Sequence, residues 1–129
     1  MSNRTSASAS ERRPLISSPD SGLAYVAIVA ALVSAVIHLS LAPRVMGFNQ
    51  TTGTLFYLNG VGWLGGVVLY LSRYWRRPLY LVAAAYALVT IVAFLAMSGR
   101  PNALSVVAKV AEAVVVLVTG YLYVAAAES

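Results

Sequence analysis

The chain begins polar and then changes character. MSNRTSASASERRPLISSPDS holds few large apolar groups, and from Gly22 onward the apolar residues gather in four long runs, over 22–42, 55–72, 79–98 and 103–126. Each run approaches the roughly 20 residues with which a helix crosses a hydrocarbon layer ~30 Å thick. None alternates apolar with polar, as the ~10-residue strands of a membrane barrel do. The pattern predicts an all-α fold: a bundle of four transmembrane helices forming one membrane domain over 22–129. The Ser-rich first 21 residues cannot bury enough surface to fold and are expected as a disordered cytoplasmic tail. Pro43 is expected to end the first helix, leaving APRVMGFNQTTGT as the longest loop. Pro78 is expected to open the third, where its missing N–H does no harm. Asn102, after Gly99, Arg100 and Pro101, is the expected cap of the fourth.

Polar residues inside these runs form stripes. In the last run Ser105, Lys109, Glu112, Thr119 and Tyr123 recur at helical spacing on one face. His38 shares its face with Ala27, Ala31, Ser34 and Ala35, small residues suited to close packing. Asn59 lines up with Gly62 and Gly66, a G-x-x-x-G pair that lets backbones approach. Tyr86 and Thr90 give the third helix a weaker version. With these boundaries His38 and Asn59 fall ~6 Å, Lys109 ~9 Å and Glu112 ~13 Å below one surface at 1.5 Å rise per residue. A lone charge at the centre of a span is penalised by roughly 2.5–3.5 kcal/mol on insertion scales. Lys109 and Glu112, three residues apart, can neutralise each other.

Composition narrows the class further. Of the 129 residues 60% are hydrophobic and 10% charged, against the ~25% charged residues of soluble domains. There is no cysteine, hence no disulfide and no thiolate metal site, and with one histidine a single chain offers no two-histidine ligand set. No metal and no cofactor is expected. A net charge of +5 would suggest nucleic acid in a soluble protein. Here the arginines flank spans, so no nucleic-acid partner is expected. Arg4, Arg12 and Arg13 precede the first span, and Arg73, Arg76 and Arg77 lie in the loop RYWRRP. Arg44 and Arg100 lie opposite. Basic short loops stay cytoplasmic, which puts both termini in the cytoplasm of a plasma-membrane protein. Tyr25, Tyr70, Tyr74, Trp75, Tyr80, Tyr121 and Tyr123 fall at the same interface, where amphipathic rings are favoured. Arg12-Arg13 has something of a twin-arginine export signal, but a proline follows and the apolar run is long enough to span; a retained tail is expected.

The segments IHLSLAPRVMGF, LFYLNGVGWLGG, RYWRRPLYLVAAAYALVT and NALSVVAKVAEA resemble a group of small four-helix membrane proteins of halophilic archaea, over residues 22–126. That group has no assigned biochemical function, so the resemblance implies a fold and a location. Its recurring His, Asn and Lys/Glu positions would correspond to His38, Asn59, Lys109 and Glu112. Small four-helix multidrug transporters are alike in shape only, because their membrane glutamate stands in the first helix.

No phosphate loop, His-Glu-x-x-His, paired aspartates or nucleophile elbow is present, and no enzymatic activity is expected. Two readings of the polar cluster remain. In one it is a packing device that fixes which faces meet, in a structural or accessory subunit of a homo-oligomer or a larger membrane complex, with the lipid bilayer as its other partner. In the other, it handles protons or a small solute.

Overall fold

The structure is a computed structural model that describes residues 14–19, 21–97 and 103–128. Four helices account for nearly all of these: α1 (Gly22–Phe48), α2 (Gln50–Leu71), α3 (Pro78–Met97) and α4 (Ala103–Glu128). Each is long and apolar enough to cross a membrane. Asn102 lies outside the described residues.

The first helix does not stop at Pro43. It continues to Phe48, and the expected loop shrinks to one residue, Asn49. Proline keeps a helical φ and forfeits a single hydrogen bond, here to the Leu39 carbonyl. Packing offsets that loss. The last turn of α1 rests on the first turn of α2 so closely that a Cβ at Gly53 would stand 2.6 Å from Met46 Cα. Asn49 serves both helices: its N–H donates to the Val45 carbonyl (2.8 Å), and its Oδ1 accepts from Thr52 N–H (3.0 Å). At the start of α1, Ser21 Oγ accepts from Leu23 N–H.

α1 packs against α2 and α4, and α4 against α3, while the backbones of α2 and α3 stay apart. Close packing follows from a stripe of small residues on α1, where Ala24, Ala27, Ala31, Ala35 and Ala42 are buried. Gly60 of α2 completes it by leaving room for the Leu39 side chain. Large apolar side chains such as Val36, Leu58, Val89, Leu95 and Leu117 point outward and are exposed.

The end of the bundle that carries RYWRRP is tied together by several contacts. Tyr70, Trp75 and Tyr80 meet edge to face. The Arg77 guanidinium lies 3.8 Å from the Tyr123 ring centroid and donates to the Tyr123 carbonyl, near the negative end of α4. Part of the segment expected as disordered tail is ordered against this end. Ser17 N–H donates to the Leu71 carbonyl and Arg73 N–H to the Leu15 carbonyl, around an isolated antiparallel bridge between Ile16 and Ser72. The earlier residues of that segment lie outside the described ones.

Candidate functional site

Glu112 is the largest fully buried side chain among the described residues. Its carboxylate is surrounded by donors from three helices. Oε1 accepts from Lys109 Nζ of its own helix (2.8 Å) and lies 2.8 Å from Thr90 Oγ1 of α3. Oε2 accepts from Ser34 Oγ of α1 (2.6 Å). Thr90 has one proton and a second acceptor, the Ala87 carbonyl at 2.7 Å, so its hydroxyl is shared between them. Lys109 also donates to the Thr90 carbonyl (3.3 Å) and lies 5.2 Å from the Phe94 ring centroid.

His38 stands on the far side of this carboxylate. Its Nδ1 is 2.8 Å from the Ser34 carbonyl and 3.2 Å from Ser34 Oγ. A carbonyl only accepts, which places a proton on Nδ1 and leaves Nε2 bare in the neutral ring. Nε2 faces Glu112 Oε2 at 3.9 Å, beyond hydrogen-bond distance. Phe56 of α2 covers the ring, 5.2 Å away between centroids. The arrangement can hold a buried ion pair with each carboxylate oxygen occupied, and it places one titratable ring beside that pair.

The helix lengths explain why these groups meet. With α1 extended to Phe48, His38 lies roughly 15 Å from its end, and Glu112 lies roughly 13 Å into α4. With the shorter first helix expected from Pro43, His38 would lie ~6 Å and Glu112 ~13 Å deep in the same half of the bilayer; the longer α1 brings the two level. Of the four polar residues singled out in the sequence, His38, Lys109 and Glu112 come together. Asn59 does not join them. It makes a separate joint between α2 and α3, where Tyr86 OH lies 2.8 Å from the Asn59 carbonyl and 3.0 Å from Oδ1.

The two glycines of the G-x-x-x-G pair also part company. A Cβ at Gly62 would collide with Tyr86 OH, so that glycine admits the Tyr86–Asn59 joint. At Gly66 nothing lies within 4 Å of a Cβ position. Close approach of α2 to α1 occurs at Gly53 and Gly60 instead. Ser34 and Thr90 are the site residues that sequence reasoning undervalued. Each sits on the inward stripe of its helix, and a hydroxyl on such a stripe facing a buried carboxylate is the signal that could have found it.

A family model described as a family of unknown function (DUF7475) matches residues 9–123, a span that includes every residue of this cluster. No curated protein and no solved structure matches the chain.

Proposed function

The chain belongs to the family of unknown function DUF7475, and on that premise we propose that it is a multi-pass plasma-membrane protein without catalytic activity, with both termini cytoplasmic. It serves as a structural or accessory subunit, in a homo-oligomer or within a larger membrane complex. The resemblance to membrane proteins of halophilic archaea supports the location. The observation that carries the role is the closure of the Glu112 carboxylate: fully buried, with donors from three helices. A carboxylate so enclosed serves register more directly than passage of a solute. Breaking a buried pair is strongly destabilising, while replacing both partners by apolar groups is often neutral or better.

Thermal stability of Lys109→Leu, Glu112→Leu and the double variant in lipid tests this. Each single change is expected to destabilise by about 3–5 kcal/mol, and the double to recover most of it. Stabilisation by Glu112→Leu alone would mean that the carboxyl is kept at a cost to folding, and the structural role would be abandoned. A second reading has one specific support, the bare His38 Nε2 facing Glu112 Oε2. It makes the pair a proton site. It predicts Trp fluorescence or activity in vesicles that changes between about pH 5 and 8 and loses that change in His38→Ala. A flat profile removes it.

A further inference from the structure

The first explanation of the arginines in RYWRRP is topology, since basic short loops are retained in the cytoplasm. A topology signal needs charge alone. These guanidinium groups have, in addition, defined places. Arg76 Nη1 donates to the Arg73 and Trp75 carbonyls, at 3.0 Å each. Arg77 Nε donates to the Tyr123 carbonyl (2.9 Å), with the guanidinium against the Tyr123 ring. Arg73 Nη2 donates to Tyr74 OH (3.2 Å), and its backbone N–H is fixed by the Leu15 carbonyl.

None of these contacts neutralises charge. Every partner is a carbonyl, a phenol or a ring, and the ion pairs among the described residues all involve Glu112, inside the bundle. A guanidinium has five N–H donors. Arg76 engages one nitrogen and the other two one hydrogen each, so each keeps at least three donors, and all three residues are exposed. Such a fork matches a carboxylate or a phosphate. Position decides between them. Trp75, Leu79 and Tyr80 line an apolar cavity of about 230 Å³ between α2 and α3, bordered further in by Gly66, whereas Arg76 and Arg77, between Trp75 and Leu79 in the chain, do not line it. The polar–apolar boundary therefore runs through the loop itself. Tyr70, Trp75 and Tyr80 meet at that boundary, and aromatic residues of this kind settle at headgroup level. The arginines stand where lipid phosphates lie.

From this we propose that Arg73, Arg76 and Arg77 form a binding surface for the phosphate headgroups of anionic membrane lipids. This rests on the membrane reading above, and on neither the side this end faces nor the role of Glu112. Each arginine near a negatively charged bilayer surface strengthens attraction to it about fivefold.

The test uses the full chain with Trp63→Phe, which leaves Trp75, beside Arg76, as its single tryptophan. It is reconstituted in phosphatidylcholine nanodiscs in which a fixed fraction of lipid, either phosphatidylcholine or phosphatidylglycerol, is brominated on its acyl chains. Quenching of Trp75 reads which lipid stands beside the loop. A preference for phosphatidylglycerol of at least about tenfold is expected. The Arg73 guanidinium contacts its neighbour Tyr74 and no other helix among the described residues. Arg73→Gln is therefore expected to fold as wild type and to lower the preference about fivefold. Arg44→Gln removes the same charge at the opposite end and is expected to leave the preference unchanged. Equal quenching by the two lipids overturns the proposal, and so does a preference that survives Arg73→Gln. An equal fall in Arg44→Gln marks net charge rather than a site and overturns it too. Loss of the preference in excess inorganic phosphate at constant ionic strength makes the occupant a soluble anion, with the same consequence. Should Arg73→Gln lose its helical circular dichroism, Arg76→Gln takes its place on the same terms. Each of these failures leaves the chain in the bilayer, whereas its release from membranes by alkaline carbonate would remove the membrane reading and the proposal together.

Discussion

Lys109 and Glu112 occupy unequal places in their pair. The Glu112 side chain is fully buried and its carboxylate has no route to solvent, whereas the Lys109 side chain is 17% exposed and ends near Phe94. Removing Lys109 leaves a buried anion held by two hydroxyls. Removing Glu112 leaves an ammonium that still bonds the Thr90 carbonyl and can swing outward on its long stem. Lys109→Leu should therefore fall at the upper end of the ~3–5 kcal/mol range for broken buried pairs, and Glu112→Leu at the lower end. Unfolding in bicelles measures the order, and equal losses would contradict this asymmetry. Ser34 and Ser40 offer a cleaner contrast on one helix. Ser34→Ala deprives Oε2 of its donor, for a loss of about 1.5–3 kcal/mol expected of a hydrogen bond to a charged group. Ser40, exposed and bonded among the described residues to the Val36 carbonyl, should tolerate alanine with no measurable change. His38, Lys109 and Glu112 were legible because ionisable groups stand out in apolar runs. Ser34 and Thr90 were not, because a hydroxyl at helical spacing reads equally as packing until the rotation of a neighbouring helix is known.

Helix pairing depends on glycines whose spacing alone does not reveal their partners. Gly53 and Gly60 stand one heptad apart on α2 and receive Met46 and Leu39, one heptad apart on α1. The G-x-x-x-G pair, more conspicuous in the sequence, turns toward α3, where one member admits Tyr86 and the other borders the cavity. Spacing identifies a shared face; it does not say which helix approaches it. At Gly53 a methyl group would strike the backbone of α1, which cannot give as a side chain can. Gly53→Ala should lower stability by about 1–3 kcal/mol through overpacking. Gly66→Ala meets nothing and should raise it by up to about 1 kcal/mol through helix propensity. Thermal denaturation of the two variants gives the comparison, with opposite signs expected. The same contacts explain the extension of α1 past Pro43: a local breaker is outweighed by packing against a helix that sequence pattern cannot align.

At the scale of the molecule, four antiparallel helices bring the start of α1, the loop RYWRRP and the end of α4 to one end of the bundle. The pairing of Ser17 with Leu71 and of Arg77 with Tyr123 ties them there. Four apolar runs made that architecture legible, since length and hydropathy are properties of each helix alone. The gap between α2 and α3 and the docking of residues 14–19 depend on contacts between distant segments, and no run of residues encodes them. The proposal that this end faces the cytoplasm rests on charge. Arg73, Arg76 and Arg77 lie there, and short basic loops are retained in the cytoplasm. The absence of cysteine makes the test direct, because a single introduced thiol is the only site for a maleimide. Ser18 and Thr51 are both exposed and belong to opposite ends of the bundle. A membrane-impermeant maleimide applied to intact cells should label Thr51→Cys and leave Ser18→Cys untouched until the membrane is opened. The reverse result would set the arginine-rich end outside, and the lone Arg44 of the described residues near the opposite end would then have outweighed three. Labelling of both thiols in intact cells would refute a fixed orientation, and with it the assignment of the RYWRRP end as cytoplasmic.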